Sequence, residues 1–238
     1  DGKLYTNREE GKARKLSSLK SFYDYYFKKN LIRTNPPRQV DVPKIKNKNI
    51  IRLDPNEIAQ LLDEAESGEK LSGRQLASHE KTKVRDVAIL TLLLGTGIRV
   101  SECVGLNLED VDFNNGAIRI IRKGGNEALI YFGDEVSQAL EAYMNGPRKT
   151  AEPAAGHEEA LFISLNKTRI TTRSVERLVK KYSRLVTTVK KITPHKLRST
   201  FGTALYQETG DIYLVADVLG HKDVNTTKKH YAAIDEDR

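Results

Sequence analysis

Only one cysteine, Cys103, occurs in the 238 residues, so neither an internal disulfide nor a cysteine-based metal cluster can form. That composition fits a reducing cytoplasm, which is the expected location. Long apolar runs are absent as well. The longest, Val87 to Leu94, is interrupted by Thr91 and falls well short of the roughly 20 residues that span a bilayer. It reads as a core helix, and no membrane partner is expected. No signal peptide is visible, although the chain opens at Asp1 without a methionine. Internal repeats and low-complexity tracts are also missing. What remains is an ordinary globular balance, 38% hydrophobic and 30% charged.

The net charge of +8 is unevenly placed. Residues 1–50 hold 13 Lys/Arg against 5 Asp/Glu, and the rest of the chain holds 27 of each. A basic arm beside a neutral domain suits a segment that lies on a polyanion, although charge alone is equally consistent with a solvated surface.

Residues 1–34 read as helix. Leu16, Leu19, Phe22, Tyr23, Tyr26 and Phe27 recur at three- and four-residue steps. One helix cannot form its own core, so this is read as the end of a larger helical domain. Pro36, Pro37 and Pro43 then break regular structure, and Lys44, Lys46 and Lys48 mark a basic linker. The division is residues 1–43 as the C-terminal helices of an incomplete helical domain, 44–50 as linker, and 51–238 as the main domain.

Asp54-Pro55-Asn56-Glu57 is a helix start, with an N-cap Asp, Pro at the first helical position and Glu completing a capping box. A helix to about Glu66 follows, then a polar loop through His79, then a mostly apolar helix from Val84 to Thr96. A short helix covers Val100 to Leu106. Ala117 to Arg122 and Ala128 to Phe132 are β-type runs around Lys123-Gly124-Gly125-Asn126, a hairpin signature. Helical patterns return at about Glu135–Met144, and after a surface loop at Asn145–Glu159 they resume at Thr172–Val186. A further helix opens at Thr193-Pro194 and runs through Tyr206. Asp211–Leu219 is a short helix stopped by Gly220, and a last helix contains Tyr231. The fold expected is mainly α with a small antiparallel β-sheet, an α+β domain.

The candidate chemistry lies in the placement of Arg, His and Tyr. Arg99 follows a helix end. His195 and Arg198, three apart at one helix start, share a face. His221 follows a helix C-terminus, and Tyr231 lies ten residues on. These are the parts of phosphoryl transfer: two arginines to neutralise a pentavalent phosphorane, imidazoles to move protons, and a side-chain nucleophile. Each alone is weak, since a lone His is usually a structural hydrogen-bonder and a lone Tyr is usually core.

The wording and order of the segments are more specific. Thr96-Gly97-Ile98-Arg99-Val100-Ser101-Glu102 resembles the first arginine box of the tyrosine recombinases, the phage-integrase family. Thr193-Pro194-His195-Lys196-Leu197-Arg198 resembles its His-x-x-Arg box. Leu219-Gly220-His221 with His230-Tyr231 resembles its Leu-Gly-His box and nucleophile. Ile121 to Glu127 resembles the hairpin turn that carries the family's lysine. The resemblance covers roughly residues 51–235 and identifies residues 1–43 as the last helices of a core-binding domain. Family members usually carry that domain complete, closing with the catalytic domain around DNA, and many continue past the tyrosine with a tail that docks on a neighbour. Here only seven residues follow Tyr231.

The resemblance implies roles position by position. Tyr231 attacks the scissile phosphate, leaving a 3′-phosphotyrosine and a free 5′-hydroxyl. Arg99 and Arg198 hold the non-bridging oxygens through planar forks that Lys cannot copy. Lys123 protonates the leaving 5′-oxygen, although hairpin turns often carry an exposed Lys with no such role. His195 accepts the tyrosine proton and His221 donates a hydrogen bond to the phosphate. A phenol has a pKa of about 10, so the nucleophile needs this positive cluster or a base at neutral pH. Glu102 is read as structural, orienting an arginine, and Cys103 as buried packing. Bond energy is conserved in the phosphotyrosine, so no cofactor, ATP or metal is required. No acidic cluster with metal-ligand spacing lies near these boxes.

The implied partner is double-stranded DNA at specific recombination sites, bound by a homotetramer on two sites through a Holliday junction, as an integrase or transposase of a mobile element does. Phosphate clamps are expected at Lys12, Arg14 and Lys15, at Lys44, Lys46 and Lys48, and at Arg173 and Arg177. Lys180, Lys181 and Arg184 could as easily be a solvated face as further clamps, and phosphate contacts position a duplex without reading its sequence. The alternatives are a type IB topoisomerase-like enzyme, which reseals one duplex without exchanging strands, a catalytically silent DNA-binding protein on the same fold, and a metal-dependent nuclease using His195 and His221.

Overall fold

The computed structural model describes residues 7–43, 51–122, 124–221, 224 and 227. The chain separates into two compact units, residues 1–49 and 50–238. In the first, α1 runs Glu9–Lys28 with two glutamates in its opening turn and a lysine in its last, the arrangement a helix dipole favours. A short 3₁₀ turn, Pro36–Gln39, packs back on it. Asp24 fastens the turn, accepting from Arg38 at 2.7 Å and Asn35 at 2.6 Å. The apolar stripe is only partly covered: Phe22 meets Tyr23 and Tyr26 edge-on or tilted, yet Leu19 and Phe22 remain exposed. The expected linker, 44–50, lies outside the described residues.

The second unit begins as its sequence dictates. Asp54 accepts from the Glu57 N–H at 2.9 Å and Glu57 accepts from the Asp54 N–H at 2.9 Å, so the capping box is closed in front of α2, Pro55–Ser67. The next helix corrects the sequence reading. α3 spans Gly73–Thr96, so the expected polar loop ends at Ser72 and Gly73 to His79 are helix, with His79 fully buried. Polarity suggested solvent there, but the turns are held by a tertiary partner on a distant helix, described below. α4, Val100–Gly105, follows directly.

β1 (Val111–Asp112), β2 (Ala117–Ile121) and β3 (Glu127–Tyr131) form an antiparallel sheet in that order. Ala117 pairs with Tyr131 and Ile121 with Glu127. Period-2 alternation turns Ile118, Ile120 and Ile130 into the core and leaves Ile121, Leu129 and Tyr131 outside. Strand β1 is too short to show a pattern in sequence. Arg122, expected at the end of a strand, has already left the ladder.

α5 covers Asp134–Tyr143 and passes into a π-type turn, Met144–Arg148, where the sequence reading placed the start of a loop. Buried Arg148 holds the following loop by donating to the Ala160 carbonyl at 3.0 Å. α6, Thr172–Val186, is strongly amphipathic: Val175, Leu178, Val179 and Tyr182 are buried, while Arg173, Arg177, Lys180 and Arg184 are exposed. α7 (Pro194–Thr209) and α8 (Ile212–Val218, N-capped by Asp211) complete the described elements. The central helix α3 packs on α2, α5 and α7. No helix among the described residues is long and apolar enough to cross a membrane.

Cys103 belongs to this core and is fully buried, and burial pushes its thiol up to about 12. Only the thiolate reacts, so the native protein should resist Ellman's reagent at pH 7.5 and yield one thiol after denaturation. Stoichiometric labelling of the native protein within minutes would contradict this packing.

Candidate active site

Two helix ends supply the acceptors of the site. α3 stops at Gly97, whose φ of +62° lies in the left-handed region. A Cβ there would sit 2.3 Å from the Phe201 ring, so the residue must be glycine for α7 to approach this closely. α8 is followed by Gly220, with φ +60° and its N–H on the Asp217 carbonyl at 2.8 Å. Helix ends leave carbonyls without intrahelical donors, and here guanidinium groups supply the donors.

Arg198, buried on α7, donates Nη1 to the Gly97 carbonyl at 2.5 Å and Nη2 to the Leu219 carbonyl. Arg99 donates Nη2 to the Gly220 carbonyl at 3.4 Å. Arg122 donates Nη2 to the Val218 carbonyl at 3.0 Å, and both of its terminal nitrogens lie 3.4 Å from the Asp217 carbonyl. Four successive carbonyls at the negative end of α8 thus receive three arginines.

Arg99 is also pinned from its own side. The nearly buried Glu102 accepts from the Arg99 main-chain N–H at 2.7 Å and from its Nη1 at 2.8 Å. Glu102 therefore has the orienting contact expected of it. His221 follows Gly220, donates its N–H to the Ala216 carbonyl at 2.9 Å, and shares a hydrogen bond between Nδ1 and the Thr227 hydroxyl at 2.7 Å. His195 lies one turn before Arg198 on α7, and its carbonyl accepts from the Ser199 hydroxyl at 3.1 Å. The fold therefore joins Arg99, Arg198 and the segment leading into His221 at one helix end, with His195 on the helix that carries Arg198.

Residues 51–238 match the profile of the phage integrase family. The chain belongs to that family. Its relatives are tyrosine recombinases, enzymes of site-specific DNA cleavage and rejoining. It is 37% identical over 218 residues to tyrosine recombinase XerC of Thermodesulfovibrio yellowstonii, spanning 91% of this chain and 69% of that one. It is 30% identical over 232 residues to XerD of Oceanobacillus iheyensis, 95% of this chain and 74% of that one. Among solved structures it resembles XerA recombinase, with 26% identity, a TM-score of 0.65, and 94% and 74% of the two chains covered. It also resembles the Tn1549 transposon integrase in complex with circular intermediate DNA, with 25% identity, a TM-score of 0.71, and 94% and 75% covered. The mainly helical fold with a small sheet is that of the tyrosine recombinase catalytic domain.

In this tyrosine recombinase, Lys123 and Tyr231 lie outside the described residues, as do Lys44, Lys46 and Lys48. Lys12, Arg14 and Lys15 are exposed on α1, with Lys12 paired to Glu9 at 2.7 Å, and Arg173 and Arg177 lie on the exposed face of α6. Of the three cations left open between clamp and solvated face, Lys180 and Arg184 are exposed, while Lys181 turns inward. Its ammonium sits 4.4 Å over the Tyr182 ring and donates to that hydroxyl at 3.0 Å. Among the described residues no group of His, Cys, Asp and Glu could hold a metal ion.

Two features of the recombinase were not found from sequence. One is Arg122. The other is a buried polar seam between α3 and α6. Burial, and then the Asp86 carboxylate beside it, push the Tyr182 phenol far above the usual tyrosine range, so it stays an O–H and donates to Asp86 at 3.1 Å. The same oxygen lies 3.0 Å from His79 Nδ1, which must then be the donor. Thr82 and Arg85 complete the shell of Asp86 at 2.9 and 2.7 Å. The only hint in the sequence is four-residue spacing, which puts Thr82 and Asp86 on one face.

Proposed function

We propose that this chain cleaves and rejoins DNA at specific sites through a 3′-phosphotyrosine on Tyr231, exchanging strands through a Holliday junction as a tetramer on two sites. The observation that carries the reading is the gathering of Arg99 and Arg198 on the carbonyls that lead into His221. Two guanidinium forks held at one point are what a phosphorane with charged non-bridging oxygens needs. Tyr231 attacks phosphorus while the P–O5′ bond breaks. His195 takes the phenolic proton, Lys123 gives a proton to the leaving 5′-oxygen, and His221 hydrogen-bonds the phosphate. Resealing reverses each transfer.

Residues 1–43 are the last helices of a core-binding domain and 44–50 the linker. Lys12, Arg14, Lys15, Lys44, Lys46, Lys48, Arg173 and Arg177 touch backbone phosphates, which position a duplex without reading it. The enzyme acts on DNA in the cytoplasm. Support for a DNA partner comes from the similar Tn1549 integrase, solved in complex with circular intermediate DNA.

The test is a duplex nicked near the cleavage point, so that the short 5′-hydroxyl fragment diffuses away and the adduct accumulates. With its cognate site and a chelator present, the protein is expected to give a denaturation-resistant adduct on the 3′-phosphate side. An adduct through a 5′-phosphate, or cleavage abolished by chelator, would overturn the mechanism. Strand exchange between two sites separates the recombinase from a topoisomerase-like enzyme, which would only relax supercoils.

A further inference from the structure

Arg122 stands between two parts of the machinery. On one side it is the last residue before the Lys123-Gly124-Gly125 turn, and its main chain closes that turn. Its N–H bonds the Asn126 carbonyl at 2.8 Å, and its carbonyl accepts from the Gly125 N–H at 3.0 Å. On the other side its guanidinium leaves the sheet and grips α8 at the Asp217 and Val218 carbonyls. The fit is close. A Cβ on Gly220 would lie 2.3 Å from Arg122 Nη1 and 2.5 Å from Cζ, so the guanidinium rests where any side chain at 220 would stand. Its Nε is buried with no partner among the described residues, a cost accepted at an otherwise well-bonded side chain. An exposed hairpin needs no such contact for its own folding. The contact fixes the root of the turn against the helix end that already receives Arg99 and Arg198.

We propose that Arg122 is a positioning residue that latches the lysine-bearing turn to the end of α8, so that the leaving-group acid is presented to the same phosphate that the two arginines hold. The inference rests on the assignment of Lys123 as that acid. Without the latch the strands are, among the described residues, what tethers the turn, and a displacement of about 1 Å at a proton donor can cost roughly 100-fold in rate.

The leaving group supplies the test. In a 5′-bridging phosphorothiolate, attack by tyrosine breaks a P–S bond and releases a thiolate, which needs no proton, whereas the ordinary P–O bond releases an alkoxide that does. Adduct formation is compared on both DNAs for wild type, Arg122→Ala, Arg122→Met and Lys123→Ala. The Met variant keeps the aliphatic stem against Gly220 and loses the donors, and duplex binding of each variant verifies its fold. Arg122→Ala and Arg122→Met are expected to be slowed roughly 10- to 100-fold on the oxygen substrate and to lie within about threefold of wild type on the sulfur substrate. If Lys123→Ala is rescued by sulfur while the DNA-binding-competent Arg122 variants stay equally slow on both substrates, the latch is overturned and the lysine assignment stands. If Lys123→Ala is not rescued either, the lysine assignment fails and the latch falls with it.

Discussion

Tyr231→Phe is expected to bind its duplex as the wild type does and to form no covalent adduct at all. The substitution removes one oxygen and keeps the ring, so packing and phosphate contacts survive while the only nucleophile of the proposed step is gone. Removing a nucleophile from a site whose groups act as a unit typically costs several orders of magnitude. The nicked duplex is the right substrate because the adduct accumulates on it, and a gel-shift on the same DNA measures binding separately. An adduct of wild-type yield from the Phe variant would exclude Tyr231 and send the search to another hydroxyl.

Arg198 carries the second large effect, on rate and on stability together. Its guanidinium is buried and serves two carbonyls from different helix ends, Gly97 and Leu219. Arg198→Ala leaves both acceptors without that donor, at about 1–3 kcal/mol for each buried group left unsatisfied. It also removes a fork from the phosphorane, a loss of roughly 100- to 1000-fold in the covalent step. Arg198→Lys separates the two. An ammonium can reach one carbonyl and keeps the charge, so about half of the lost stability should return while the step stays slow, because a point charge cannot span two oxygens in one plane. Urea unfolding and adduct rates measured on all three proteins check this. A Lys variant as fast as wild type would show that charge alone suffices at this position.

Much of the site was legible because its parts are local. A glycine that ends a helix, an arginine just beyond it, and a His-x-x-Arg pair behind a proline are written in short segments. The helix and turn chemistry that places them is equally short-range, as the closed capping box at Asp54 and Glu57 illustrates. The helical pattern of Thr172–Val186 was plain for the same reason. What escaped depends on partners far along the chain. His79 looked like loop because nothing near it explains a buried imidazole, and Tyr182 stands 103 residues away. Arg122 read as the end of a strand, since its destination is set by where α8 packs, 95 residues on. Strand β1 has two residues, too few for any alternation to show.

The end of α8 has one more consequence, for how the enzyme responds to its ionic surroundings. Backbone carbonyls carry dipoles and no net charge, so they orient a guanidinium without neutralising it, whereas at Arg99 the Glu102 carboxylate adds a countercharge. The Arg198 contacts are also short and buried, where a Debye atmosphere of about 8 Å at physiological ionic strength has little purchase. Exposed lysines and arginines on α1 and α6 have no such shelter. If the phosphate contacts proposed on α1 and α6 are made, added salt is expected to weaken the encounter with DNA while leaving the geometry at the α8 end alone. Affinity and turnover of bound DNA become separately tunable, the first by the medium and the second by the fold.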